Sequence, residues 1–148
     1  MGRTRWLNDQ EMRAWRGFIE VVGQLNIELE SDLNAHGLTS GDYQVLVYLS
    51  EAPDDRLRMC DLADSLNLSP SGLTRRLDGL VRKGMVSRER SESDRRVMMA
   101  VLTPKGRDKL VAAAPHHVES VRRHLIDRLD ERQIRQLGQI FDSLRPRD

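Results

Sequence analysis

The chain has 148 residues, 39% of them hydrophobic, and a net charge of +1 from 24 basic and 23 acidic side chains, which suits one compact domain or one subunit of an interlocked assembly and gives no global pull toward a polyanion. A single cysteine, Cys60, excludes an intramolecular disulfide framework and fits a reducing compartment. No apolar run approaches the ~18 residues of a membrane span, the N-terminus with Arg3, Arg5 and Trp6 has no secretory apolar stretch, and Trp6 stands where a myristoylation signal needs Ser or Thr, so a cytosolic location without membrane attachment is expected.

Met12, Trp15, Ile19, Val22, Leu29 and Leu33 recur at spacings of three, four and seven, one stripe of a long amphipathic helix over roughly residues 8 to 36 that Gly37 closes. Thr39 with Asp42 three residues later is an Asp version of the capping box and starts a second helix, reaching about Ser50. Pro53-Asp54-Asp55 reads as a turn. Leu62, Ala63 and Leu66 carry a short third helix with Met59 near its start. Asn67-Leu68-Ser69-Pro70 then breaks the chain and restarts it, Ser69 as N-cap and Pro70 at the first helical position. The fourth helix runs to about Lys83 with Leu73, Leu77, Leu80 and Val81 as its buried stripe, and Gly84 is its left-handed stop.

Beyond Gly84 the period becomes extended. Met85 to Arg90 and Val97 to Leu102 flank the charged loop Ser91 to Arg95 as a hairpin with a long tip. Thr103-Pro104 is another cap and first-turn pair. Leu110, Ala114, Val118, Val121 and Leu125 carry a fifth helix, in which Pro115 predicts a kink, and Ile134, Leu137, Ile140, Phe141 and Leu144 carry a sixth. The fold class expected is mainly α with a small β-hairpin, a winged helix-turn-helix over 37–103 flanked by helical segments 1–36 and 104–148.

Charge is unevenly placed. Gly17 to Asp64 holds ten acids against Arg56 and Arg58, a balance of −8, whereas Ser69 to Arg96 holds eight basic residues against four acids, a balance of +4. A local basic segment is the footprint of a phosphate-binding surface, although a solvated mixed-charge face has the same composition. Two short helices joined by a tight turn and followed by a hairpin form the order that lays one helix in a major groove beside a wing. Ser71, Gly72, Arg75, Asp78 and Arg82 oppose the leucine stripe, with Thr74 and Arg76 on its flanks. Near the helix N-terminus Ser69, Ser71, Thr74 and Arg75 are placed to meet base edges or phosphates, and Gly72 allows close backbone approach. Arg76, Arg82 and Lys83 suit phosphates. In the hairpin Arg88, Arg90, Asp94, Arg95 and Arg96 are the wing candidates, Asp94 bracing one guanidinium for a narrow minor groove.

Leu62-Ala63 to Leu66, Leu68-Ser69-Pro70-Ser71, Leu73-Thr74-Arg75, Leu80, Lys83-Gly84-Met85-Val86, Asp94-Arg95-Arg96 and Leu102-Thr103-Pro104-Lys105-Gly106 stand in order and spacing that resemble the multiple-antibiotic-resistance-regulator (MarR) family, over nearly the whole chain. The resemblance implies a homodimer whose first, fifth and sixth helices interlock and whose two winged heads bind a palindromic site in double-stranded DNA, as a transcription regulator that most often represses. The chain departs from the family at Gly72, where a hydroxyl or polar side chain is frequent.

The resemblance further implies release by a small aromatic or anionic effector between the dimer helices and the head, near Trp15, Phe18, His36, Tyr43 and His116. The helical spacing of the aromatics by itself favours core packing for them. Cys60 is expected to be packed and inert. No metal and no cofactor is expected: His117 and His124 share a helix face but lie ~10 Å apart, too far for one ion. No nucleophile elbow, phosphate-binding glycine loop, paired-histidine motif or dinucleotide fingerprint appears, so an enzyme is not expected. The alternative is a winged-helix module that coats DNA or pairs with another protein without effector control.

Overall fold

The computed structural model describes residue 2 and residues 4–146. Six helices, α1 (Asp9–Asn34), α2 (Ser40–Glu51), α3 (Met59–Ser65), α4 (Pro70–Arg82), α5 (Pro104–His124) and α6 (Glu131–Leu144), accompany three strands, β1 (Arg56–Arg58), β2 (Val86–Arg90) and β3 (Met98–Leu102). No helix of the described residues is long and apolar enough to cross a membrane. The chain divides into two compact units, Met1–Ser31 with Glu119–Asp148, and Asp32–Val118.

Helix boundaries follow local chemistry. The Thr39 hydroxyl accepts from the Asp42 amide and the Asp42 carboxylate from the Thr39 amide, completing the expected capping box. Ser69 accepts from the Gly72 amide ahead of Pro70, and Thr103 accepts from the Gly106 amide while its own hydroxyl donates to the Gly84 carbonyl at 2.6 Å. Gly84 has φ +73°, the left-handed stop that a side chain would strain. Helix α5 remains one helix through Pro115.

In the Asp32–Val118 unit, α2, α3, α4, the sheet and the start of α5 share one apolar core. Leu38, Leu46, Leu49, Leu62, Leu73, Leu77, Leu80, Val86 and Ala100 are fully or almost fully buried there. The expected hairpin forms with Val86 opposite Leu102 and Arg90 opposite Met98. The sheet is larger than the sequence suggested, however: β1 adds to the far edge of β3 in antiparallel register, Arg56 opposite Val101 and Arg58 opposite Met99, giving the order β1-β3-β2. Val81, expected in the buried stripe of α4, is only half-buried.

Gly106 sits where α5 begins against the end of the β2 approach. A Cβ there would fall 2.1 Å from the Met85 carbonyl oxygen and 2.8 Å from a Leu102 methyl. Because the nearer obstacle is backbone, the Gly106→Ala variant is expected to lose about 3 kcal/mol of unfolding free energy. Chemical denaturation of the purified variant checks this, and a midpoint equal to that of the parent protein would refute the close approach.

The other unit is built differently. Helix α6 has its own capping box, Asp130 with Gln133, but not one of its residues is buried. Ile134, Ile140, Phe141 and Leu144 lie open on it, as do Trp15, Phe18 and Ile19 on α1. The expectation that Trp15 and Phe18 pack into a core is therefore not met: they are 52% and 48% exposed and stack on one another with ring centroids 6.3 Å apart. Helical periodicity identifies an apolar face without saying what covers it.

Candidate nucleic-acid interface

Helices α3 and α4 are joined by Leu66–Ser69, in which Asn67 takes φ +53°, a left-handed conformation that asparagine tolerates well. Three buried leucines, Leu73, Leu77 and Leu80, fix the rotation of α4 about its axis. The opposite face is thereby presented outward: Ser71, Thr74, Arg75, Asp78 and Arg82 are exposed and Gly72 half-exposed. Ser69 and Ser71 hydroxyls are 3.2 Å apart, and the Thr74 hydroxyl donates to the Pro70 carbonyl. Among the described residues the Arg75 and Arg82 side chains have no hydrogen-bond or ionic partner and are available to a ligand.

The remaining arginines are spent differently. Arg76 is half-buried with its guanidinium against Gly41, so near that a Cβ on Gly41 would fall 1.8 Å from it. Lys83 donates to the Gly37 carbonyl at 3.3 Å and lies 3.9 Å from Asp42. Arg88 donates to the Thr74 carbonyl and to Asp78. Arg90 donates to the Arg95 carbonyl at 2.8 Å, which shapes the hairpin tip from within.

At the tip, Arg96 meets Asp94 through two parallel bonds, Nε to Oδ1 at 3.1 Å and Nη2 to Oδ2 at 3.2 Å, and its amide donates to the same carboxylate. The Arg96 side chain and then its amide hold the Asp94 carboxyl below the usual carboxylate range. The Arg96 side chain is still 91% exposed, so the pair orients the guanidinium without hiding it. Arg95 is exposed beside it. The outward face of α4 and an arginine-bearing tip thus belong to one unit of the chain, with Arg75, Arg82, Arg95 and Arg96 among its exposed cations.

Residues 36–97 match the sequence profile of the MarR family. The chain is 30% identical over 136 residues, 90% of its own length and 81% of the other's, to the HTH-type transcriptional repressor YetL of Bacillus subtilis. The chain belongs to the MarR family. Among solved structures, the MarR family regulator AbsC of Streptomyces coelicolor superposes with a TM-score of 0.92 at 45% identity over 95% of each chain. Sco3205, a MarR family regulator from the same organism crystallised in complex with DNA, superposes at 0.91 and 36% identity over 96% of this chain and 89% of that one. MarR proteins are DNA-binding transcription regulators and not enzymes, and the mainly helical winged helix-turn-helix described above is their fold.

The residues expected near a MarR effector fall in both units of the chain. Trp15 and Phe18 pair with each other in one unit. In the other, His36 and His116 rings lie 4.7 Å apart and Tyr43 and His117 rings 4.3 Å apart. His117, considered in the sequence only for metal binding, is thus the partner of Tyr43; adjacent helix positions point about 100° apart, so His116 and His117 reach different neighbours. A cavity of about 280 Å³ in the unit that holds α6 is lined by Val21, Gln24, Leu25, Glu28, His124 and Arg128, none of them expected at an effector site. Cys60 is exposed rather than packed, with its thiol 3.7 Å from Asp61 Oδ1.

Burial raises the Tyr43 hydroxyl above its ordinary value and lowers the His117 imidazole below 6.5; His117 Nδ1 is buried without a hydrogen-bond partner. The folded state therefore binds the His117 proton less readily than the unfolded chain. Its contribution to stability is present above the unfolded value and is lost as pH falls through that value toward the lowered native one. Thermal midpoints are expected to drop between about pH 7.5 and about pH 5.5, and His117→Phe to remove part of that drop. An unchanged pH profile in the variant would assign the drop to other groups.

Proposed function

We propose that this MarR protein is a repressor that binds a palindromic operator in duplex DNA as a homodimer, reading bases with α4 and gripping the backbone and minor groove with the wing. The observation that carries the reading is the rotation of α4: its leucines face the core, and Arg75 stands exposed and unpaired on the second turn from the Ser69 cap, where a guanidinium forks onto a guanine edge. Ser69, Ser71, Gly72 and Thr74 line the N-terminal end of the same helix, and Arg82 and the wing residues Arg95 and Arg96 supply phosphate and groove contacts. The DNA complex of Sco3205, which shares this architecture, supports that role for the head.

The dimer reading rests on the open apolar faces of α1 and α6, which a second copy would cover. Under this reading the segments 1–36 and 104–148 make the dimer and 37–103 the head, and the protein acts in the cytosol. Ligand release would work by changing the separation of the two heads and moving both recognition helices out of register with successive major grooves.

Selection of genomic fragments with the purified protein at physiological salt, followed by sequencing, tests the proposal. Recovery of a palindrome with half-sites about one helical turn apart is the expected result. Fragments without a common motif, bound only at low salt, would instead identify a DNA-coating module.

A further inference from the structure

Of the basic residues in the head, Arg88 is the one whose charged end turns from the wing onto the recognition helix. It lies on β2, an edge strand, opposite Ala100. A single nitrogen, Nη2, donates to the Thr74 carbonyl at 3.1 Å and to Asp78 Oδ1 at 2.6 Å. Thr74 and Asp78, the residues that supply those acceptors, are one helical turn apart on α4, and Arg75 lies on the turn between them. The Arg88 side chain is 28% exposed and that of Asp78 50%, so the contact is partly shielded, unlike a freely solvated ion pair that contributes little.

We propose that Arg88 is a positioning residue for base recognition, a tie that fixes the wing to the α4 turn carrying Arg75, and not a phosphate ligand. The inference rests on the reading of α4 as the base-reading helix. Its physical ground is the second acceptor. A carboxylate alone could follow the guanidinium as a side chain, but the Thr74 carbonyl is part of the helix backbone, so the bond pins β2 to the helix axis itself. Base readout depends on holding side chains within about 0.5 Å of their productive positions, and without the tie the edge strand and helix keep only their apolar contacts. The same geometry argues against direct phosphate binding, because a phosphate would have to compete with a short charge-assisted bond already made.

Asp78 makes the two roles separable by sign. If Arg88 were a phosphate ligand, Asp78 would merely be an acid near DNA that draws the cation away, and Asp78→Asn would tighten binding. If Arg88 is the tie, removing either partner loosens the same joint. The experiment is a titration of the parent protein, Arg88→Gln, Asp78→Asn and the double variant against the selected operator and an unrelated duplex, over a series of salt concentrations. Each single variant is expected to lose about tenfold on the operator, and the double variant no more than the weaker single, because coupled residues are not additive. The slope of log affinity against log salt should stay as in the parent.

A fall of about 0.9 in that slope for Arg88→Gln, with equal weakening on both duplexes and tighter binding by Asp78→Asn, would overturn the proposal and make Arg88 a phosphate ligand. Asp78→Asn lies on the helix surface and carries the decisive sign even if Arg88→Gln destabilises the head. A parent protein with no preference between the duplexes would defeat the base-reading assignment of α4 itself; operator preference with a tighter Asp78→Asn would defeat only the role of Arg88.

Discussion

Arg75→Ala is expected to flatten base preference at one position in each half-site while leaving the rest of the operator's consensus intact. The loss should be on the order of 1–3 kcal/mol per contact, or about five- to 150-fold for each half-site. The reason is the one established by the α4 rotation: Arg75 is exposed, unpaired and close to the cap, so its fork has no competing partner to release before it meets a guanine. Arg96→Ala supplies the contrast. Its guanidinium is already oriented by Asp94 but almost fully exposed, so its removal should weaken binding to any duplex and lower the salt slope by about 0.9, with the base preferences kept. Fragment selection repeated with both variants measures this directly. Equal and sequence-independent losses would remove Arg75 from the base-reading role.

The second large effect is expected in α6. Phe141→Asp places a carboxylate in the apolar stripe with Ile134, Ile140 and Leu144 on a helix that has no buried residue in the single chain. If a second copy covers that stripe, the variant must bury an unpaired charge to associate, and it should be monomeric at micromolar concentration. Because the helix is already open in one chain, its own fold has little to lose. Affinity for the full palindrome should then fall by about 10²–10⁴, the advantage that two tied heads hold over one, while affinity for an isolated half-site stays close to that of the parent. Sedimentation together with operator titration reads both quantities. A variant that remains dimeric would move the interface away from α6, and a monomeric variant with full operator affinity would separate dimerisation from DNA recognition.

Both variants act where the sequence was easiest and hardest to interpret. Helix starts and stops were legible because capping is local: Thr39 with Asp42, Ser69 with Pro70, Thr103 and the left-handed Gly84 each act within a few residues. The strand β1 was not, because Arg-Leu-Arg has no periodicity to speak of and becomes a strand only by pairing with Met99 to Val101, over forty residues on. Cys60 could have been placed correctly from its neighbours. Leu62 and Ala63 set the buried side of α3, and a residue two positions before Leu62 points about 200° away from it, hence outward. The basic run from Arg75 to Arg96 was visible as charge, but not that Arg76, Arg88 and Arg90 lean on protein groups, since that depends on which carbonyls and backbone surfaces the fold brings near them.

The pairing of β1 with β3 has a further consequence for how the reading head comes into being. Helices α3 and α4, of 7 and 13 residues, are too short to persist alone in water, where about 12–15 residues is marginal even for strong helix formers. They lie inside a loop that β1 closes only when Met99 to Val101 are present. On a ribosome, the recognition helix therefore has nothing to rest on until the wing has been synthesised behind it, and the head should acquire its protection from hydrogen exchange and protease in one step rather than helix by helix.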